Sequence, residues 1–285
     1  MVSEFFNIKL YITQHMHDRL GKKEGVTFSK ISSAVNSMKL TEGLKRPVFC
    51  DLGGTLGGAS TIKVPQDPHV MSMNYLKYRF ATLNNMDLNY LDRTSKAMRA
   101  TYFPWVCTNV VQKHTHEPYF GQPYRILNVN RMKIAVLGAY GGYEEEKTKQ
   151  VAIENLQISL KKWLRYIHSL ENPDYVIVFV SNLIDEQHID ALKNSIEGAG
   201  ILITGADYES DYKKQTESMT ISRKHGEAVP LFHHVHNGHI MELDIRFKTR
   251  VNTFEYLGHS LAMRDEEFAK LREDIEYLDL LHRYL

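Results

Sequence analysis

Residues 12–20 read ITQHMHDRL and residues 48–56 read VFCDLGGTL, and these two stretches decide the fold. Each begins with apolar, β-prone residues and continues into a loop rich in histidine or glycine, which is typical of a strand that delivers a loop at its end. Elsewhere in the chain, short apolar runs alternate with stretches of helical spacing. The alternation of strands and helices indicates an α/β protein.

The same patterns place the individual elements. Runs of β-prone residues predict strands at 5–13, 47–51, 79–83, 104–109, 124–129, 132–138, 174–180, 200–204, 229–236 and 239–247. Apolar residues spaced three and four apart predict helices at 25–39, 69–76, 91–100, 149–169, 186–198 and 264–284. The dipeptide Asn237-Gly238 predicts a hairpin turn between the last two strands.

Length and composition favour one large domain. The chain has 285 residues, and no Pro- or Gly-rich linker divides it. We expect a body at residues 1–262 and, at 263–285, an amphipathic helix packed on that body; the alternative is a helix that docks a partner.

Charge and cysteine content exclude several classes of protein. The formal net charge is +1, which argues against a globally basic nucleic-acid binder but allows local patches. No segment approaches the roughly 18 apolar residues of a membrane span, and the N-terminus lacks a signal-peptide pattern. The two cysteines, Cys50 and Cys107, lie in or beside apolar runs, so we expect reduced, buried thiols and a cytoplasmic protein without a membrane partner.

Six further stretches follow the first two in a fixed order. They are FATLNNMDLNY at 80–90, FPWVCTNV at 103–110, QPYRI at 122–126, KIAVLG at 133–138, VFVSN at 178–182 and ILITGADY at 201–208. The eight blocks together resemble the calcineurin-like metallophosphoesterase and 5′-nucleotidase superfamily. That resemblance implies a sandwich of two mixed β-sheets flanked by helices, with a cleft at the strand ends where two metal ions activate a water molecule.

The family's metal ligands are mostly replaced in this sequence. The first aspartate corresponds to His15, the histidine after it to His17 and the bridging aspartate to Gly54; the later asparagine corresponds to Asn85, and the last three histidines correspond to Asn182, Ala206 and Tyr208. Only His17 and Asn85 retain the residue type that ligates metal in the family, and Met86 stands in place of the catalytic histidine. The resemblance therefore implies a degenerate member with no catalytic residue, no metal pair and no cofactor.

A cleft that has lost its aspartates no longer repels phosphate, which predicts binding without cleavage. The residues expected to hold a phosphate there are His15, His17, Asn85 and Asn182. Basic residues extend this prediction to RNA or a ribonucleoprotein such as the ribosome, through Arg93, Lys96, Arg99, Arg223 and Lys224. We expect a binding or regulatory factor with no obligatory small-molecule substrate.

Two other functions remain open from the sequence. The first is an active phosphoesterase with a rebuilt ligand set, which would use His15, His17 and the histidine clusters at 114–116 and 233–239. The second is a protein–protein scaffold that binds through the C-terminal helix and aromatic loops. The carboxylates Asp51 and Asp87 are interpreted as structural.

Overall fold

A computed structural model describes residues 4–41, 47–56, 67–120, 122–142, 151–183, 192, 194–205, 219–222, 228–234, 238–251 and 253–283. The chain divides into two compact units. Unit 1 comprises Met1–Phe80, Tyr90–Phe103 and His236–Leu285, and unit 2 comprises Ala81–Asn89 and Pro104–Val235. Within the described ranges, no helix is long and apolar enough to cross a membrane.

A five-stranded mixed sheet forms the centre of unit 1. Its strands are β1 (Phe5–Gln14), β2 (Val48–Asp51), β3 (Phe80–Ala81), β12 (His239–Arg250) and β13 (Thr253–Met263). They lie in the order β13-β12-β1-β2-β3. The boundary between the two units falls within β3, after Phe80. Strand β1 pairs with β12 antiparallel and with β2 parallel. Because β1 and β2 are parallel, the loops that follow Gln14 and Asp51 leave the same edge of the sheet.

A six-stranded mixed sheet forms the centre of unit 2. Its order is β10-β11-β9-β8-β6-β5, with β5 (Tyr124–Val129), β6 (Met132–Tyr140), β8 (Tyr175–Ser181), β9 (Ile201–Gly205), β10 (Met219–Ser222) and β11 (Ala228–His234). The strands β4 (Val110–Gln112) and β7 (Val151–Ile153) pair separately. Strand β8 is parallel to both of its neighbours and is buried beyond Tyr175, as its run of Val, Ile and Phe predicts.

Helices cover parts of both units. Unit 1 contains α1 (Phe28–Thr41), α2 (Pro68–Tyr75), α4 (Leu91–Met98), α6 (Asp265–Ala269) and α7 (Ile275–His282), and unit 2 contains α3 (Asn85–Asn89) and α5 (Leu156–Leu170). Helix α5 buries Leu160, Leu164 and Ile167 against the core residues of β6 and β8. Asn155 begins this helix by accepting a hydrogen bond from the Ile158 N–H at 3.1 Å.

The predicted hairpin at Asn237-Gly238 is wrong. Strand β11 pairs with β9 and β10, whereas β12 pairs with β1 and β13, so the two strands lie in different sheets. Asn237 itself lies outside the described residues. Strand β12 is bonded along both edges by β1 and β13, which leaves no edge at which β11 could pair.

Other boundaries also differ from the prediction. Residues 104–109 were predicted as a strand but form only isolated bridges. Residues 151–153 were predicted as helix but form a strand, because Asn155 caps α5 and the helix begins after it. The C-terminal segment forms two short helices instead of one, since Asp274 caps α7 and bonds Ser32 Oγ of α1 at 2.6 Å. Strands β4, β10 and β13 were not predicted, and the predicted helix at 186–198 falls largely outside the described residues.

Candidate functional site

The loop after β1 carries the first two candidate residues into the interior of unit 1. His15 has a positive φ of 53° and is 1% exposed, and its backbone N–H donates to the Gly53 carbonyl at 3.0 Å. The His17 side chain is 9% exposed. The two rings lie nearly perpendicular, with centroids 6.5 Å apart. His15 and His17 therefore lie close together on this loop.

Gly54 faces His15 at close range. Its φ is +77°, and a Cβ built on Gly54 would lie 2.2 Å from His15 Nδ1. Any side chain at position 54 would force the His15 ring to move, because the imidazole occupies the space that the Cβ would need. The donor set at this loop does not fit a bridging metal ligand, since the position has neither a carboxylate nor room for one.

Asp51 is the buried carboxylate of the same loop, but it is used for the loop's own structure. Its oxygens accept from Thr13 Oγ1 at 2.7 Å, from the Gly53 N–H at 2.8 Å and from Thr55 Oγ1 at 2.9 Å. These bonds tie the end of β1 to the loop after β2. A carboxylate engaged in this way stabilises the loop.

His17 is a neutral group in this environment. Burial lowers the pKa of His17, and the nearby His69 lowers it further, against the opposing effect of Asp18. The contact of 3.7 Å between His17 Nε2 and Asp18 Oδ1 is therefore not an ion pair at neutral pH. His17 therefore offers a neutral imidazole to a ligand.

A buried ion cluster contacts the backbone of the His17 loop. His69 bonds the His17 carbonyl with Nε2 and Asp67 Oδ1 with Nδ1, the latter at 2.9 Å, and Arg93 Nη2 donates to Asp67 Oδ2 at 2.7 Å. Burial opposes ionisation of Asp67, but the bonds from His69 and Arg93 outweigh it and lower the pKa of Asp67 to about 2.

This cluster was not predicted from the sequence. Its signal was the dipeptide Asp67-Pro68, which is the pattern of a helix N-cap followed by proline at the first helical position. The cluster also changes the interpretation of Arg93, because its guanidinium is committed to Asp67. On the same helix, Lys96 and Arg99 are exposed.

Unit 2 carries the other two candidates on loops after β3 and β8. Asn85 begins α3, and its Oδ1 lies 3.5 Å from Tyr140 Oη. Asn182 has a positive φ of 56° and is 2% exposed, and its side-chain oxygen has no hydrogen-bond partner among the described residues. Ser181 Oγ donates to the Leu83 carbonyl, so the two loops are joined within this unit.

Asp87 closes the loop that contains Asn85. Its Oδ2 accepts from the Asn84 N–H at 3.0 Å, and Asn84 Oδ1 accepts from the Met86 N–H at 2.7 Å. Asp87 is fully buried. As with Asp51, the carboxylate holds the loop in place, which agrees with its structural interpretation.

The remaining candidates either lie outside the described residues or contact carboxylates. The positions Ala206, Tyr208, Arg223 and Lys224 lie outside the described residues, as do parts of the second histidine cluster. His116 Nδ1 lies 3.2 Å from Glu154 Oε1 and His239 Nδ1 lies 2.6 Å from Asp265 Oδ2, so each of these two histidines contacts a carboxylate. In the part of the chain that the structure describes, no three His, Cys, Asp or Glu side chains are grouped so as to hold a metal ion.

Known proteins resemble this chain in structure and not in sequence. No protein-family model and no curated protein matches the sequence. The calcineurin-like phosphoesterase YfkN of Bacillus subtilis superposes with a TM-score of 0.76 at 15% identity, covering 98% of each chain. Two nucleotidases are also similar, and this chain spans less than two thirds of each.

The first of these two is a 5′-nucleotidase precursor from Thermus thermophilus, with a TM-score of 0.74 at 15% identity over 98% of this chain and 58% of that one. The second is the NAD nucleotidase NadN of Haemophilus influenzae, with a TM-score of 0.66 at 16% identity over 98% of this chain and 63% of that one. Together with the two mixed sheets, these similarities show that the chain has the fold of the calcineurin-like phosphoesterases and 5′-nucleotidases, as the sequence predicts.

Proposed function

We propose that this chain uses a phosphoesterase fold to bind a partner, as a binding or regulatory factor that does not hydrolyse phosphate esters. One observation carries the proposal. The ring of His15 fills the space above Gly54, at 2.2 Å from where a Cβ would lie, in the place where the resemblance puts a bridging aspartate.

The loss of that aspartate matters because of the chemistry that the fold supports elsewhere. A pair of divalent ions, when bound, supplies an activated water molecule and stabilises the charge of the transition state. Hard carboxylate oxygens are needed to offset the charge of two ions held so close together. This chain has His15 and Gly54 at the two positions where the resemblance places aspartates, and Met86 has no proton to give a leaving group.

The same replacements favour binding of an uncleaved phosphate group. A carboxylate repels phosphate when no metal is present, whereas imidazole and amide groups present hydrogen-bond donors. On this basis we propose a phosphate-bearing macromolecule as the partner: RNA or a ribonucleoprotein, ribosomes included. The free thiols of Cys50 and Cys107 are both buried, which is consistent with a reducing compartment, and we place the function in the cytoplasm.

The proposal predicts that the purified protein does not turn over phosphate esters. We expect no hydrolysis of nucleotides or of p-nitrophenyl phosphate above the rate without protein when manganese, zinc or nickel is added. Elemental analysis should find no stoichiometric metal pair. A chelator should leave the melting temperature unchanged, because a fold that binds no metal gains no stability from one.

The contrary result is equally clear. Two metal ions per chain, together with turnover that His17→Ala abolishes, would establish an active enzyme with a rebuilt ligand set. Turnover that survives His17→Ala points to a contaminating phosphatase, and the assay is then repeated on protein purified by a second route.

A further inference from the structure

Helix α5 concentrates positive charge on the surface of unit 2. Its sequence LQISLKKWLRYIHSL contains no acidic residue. The side chains of Lys161, Lys162, Arg165 and His168 are exposed, while the opposite face is packed on the sheet. No described residue forms a salt bridge with these four side chains. In a chain of net charge +1 this helix is a local patch, which the overall composition conceals.

A groove runs beside this helix. Its volume is about 510 Å³, and its walls include Lys161, Arg165 and His168 on one side and Ser195 and Gly198 on the other, with Glu197 as its acidic residue. His168 Nε2 donates to the Gly198 carbonyl at 3.2 Å and so fixes the helix to the facing segment. The groove is therefore a built feature with cations along one wall.

Aromatic rings lie on the other side of the same cations. Trp163 and Tyr166 pack edge to face with centroids 5.3 Å apart, and Tyr124 lies within 6.3 Å of both. Lys162 Nζ lies 5.5 Å from the centre of the Trp163 ring. Tyr166 is 44% exposed, so part of its side chain is accessible from solvent.

We infer that the exposed face of α5 binds single-stranded nucleic acid, with phosphates on Lys161, Lys162 and Arg165 and a base stacked on the aromatic rings. The inference rests on the proposed function for the class of partner and adds the surface. Cations interleaved with open aromatic faces bind single strands through the backbone charge and base stacking. The carboxylates of an acidic peptide would contact the cations but would not stack on the rings. A membrane would need the apolar face of the helix, which is buried in the core.

Charge reversal on α5 tests the inference. Fluorescence anisotropy of a labelled oligouridine in a salt series should show that Lys161→Glu/Lys162→Glu/Arg165→Glu weakens binding at least tenfold. The slope of log affinity against log salt should fall by about 2, since each lost phosphate contact on a single strand removes about 0.7. Tyr166→Ala should weaken binding roughly tenfold at an unchanged slope, because stacking releases no counterions.

Two controls separate this surface from general charge effects. The variant Lys270→Glu/Arg272→Glu/Arg283→Glu makes the same change of net charge on exposed residues of the C-terminal segment, and it should bind like the wild type. The variant Lys161→Arg/Lys162→Arg keeps the charge of the helix and should retain binding. Circular dichroism on each variant confirms that the protein is folded.

Several outcomes would overturn the inference. They are absence of binding by the wild type, binding that α5 reversal leaves unchanged, and binding lost instead on reversal of Lys96 and Arg99, which would return the contact to α4. Equal loss of affinity for phosphatidylserine vesicles and for oligouridine would show a general anion surface. None of these results bears on hydrolysis, so a failure of this inference is distinguishable from turnover of phosphate esters, which would overturn the proposed function.

Discussion

Replacing Gly54 with aspartate is expected to lower the free energy of unfolding by about 4 kcal/mol or more and to yield no enzyme. The backbone at Gly54 has a φ of +77°, which costs any other residue strain, and the new Cβ would overlap the His15 ring. The added carboxylate would also be buried beside Asp51, which is 1% exposed, so like charges would repel. Urea unfolding at neutral pH measures the loss.

A double-mutant cycle isolates the contact with His15. Gly54→Ala keeps the strain and the overlap without the charge, and it should lose less stability than Gly54→Asp. Adding His15→Gly removes the ring, and the pair should then be coupled by about 1 kcal/mol or more. If Gly54→Asp is as stable as the wild type, the loop is not packed as the structure has it, and the observation behind the proposed function is lost.

The second large effect is expected at Asp67. Replacing it with asparagine should lower the free energy of unfolding at pH 7 by about 3 kcal/mol, because His69 and Arg93 would be left without their carboxylate partner. Asparagine keeps the size of the side chain and still caps α2, so the loss reports mainly on charge.

The difference between the two proteins should depend on pH in a defined direction. The pKa of Asp67 is lowered from 3.8 to about 2 in the folded state, so its contribution is complete above pH 3.8 and is lost as the pH falls towards 2. Unfolding curves of wild type and Asp67→Asn should therefore converge in acid. The control is Asp92→Asn, which removes an exposed carboxylate beside Arg93 on α4. This variant should change the free energy of unfolding by less than about 0.5 kcal/mol. A wild-type advantage that stays constant through the acid range would contradict the ion cluster.

Much of the fold could be predicted from the sequence because its central strands are signalled locally. The buried parallel strand at 175–181 is a run of Val, Ile and Phe, and the helix at 156–170 repeats apolar residues on one face. The pairing of strands could not be predicted in the same way. Asn237-Gly238 has the signature of a hairpin, yet the strands beside it belong to different sheets, because pairing depends on which edges the rest of the chain leaves open.

The candidate site also combines features that the sequence determines with features that only the tertiary structure decides. The order of the loops and the absence of an aspartate at position 54 can be read from the residues alone, since a side chain that is missing from the sequence is missing from any fold. Where the remaining groups point, and in which charge state, was decided by tertiary structure. Burial makes His17 neutral, and the ion cluster commits Arg93 to Asp67. The His15 ring lies over Gly54 because the parallel strands β1 and β2 place their loops side by side. The spacing of residues in the sequence does not predict the distance between His15 and Gly54.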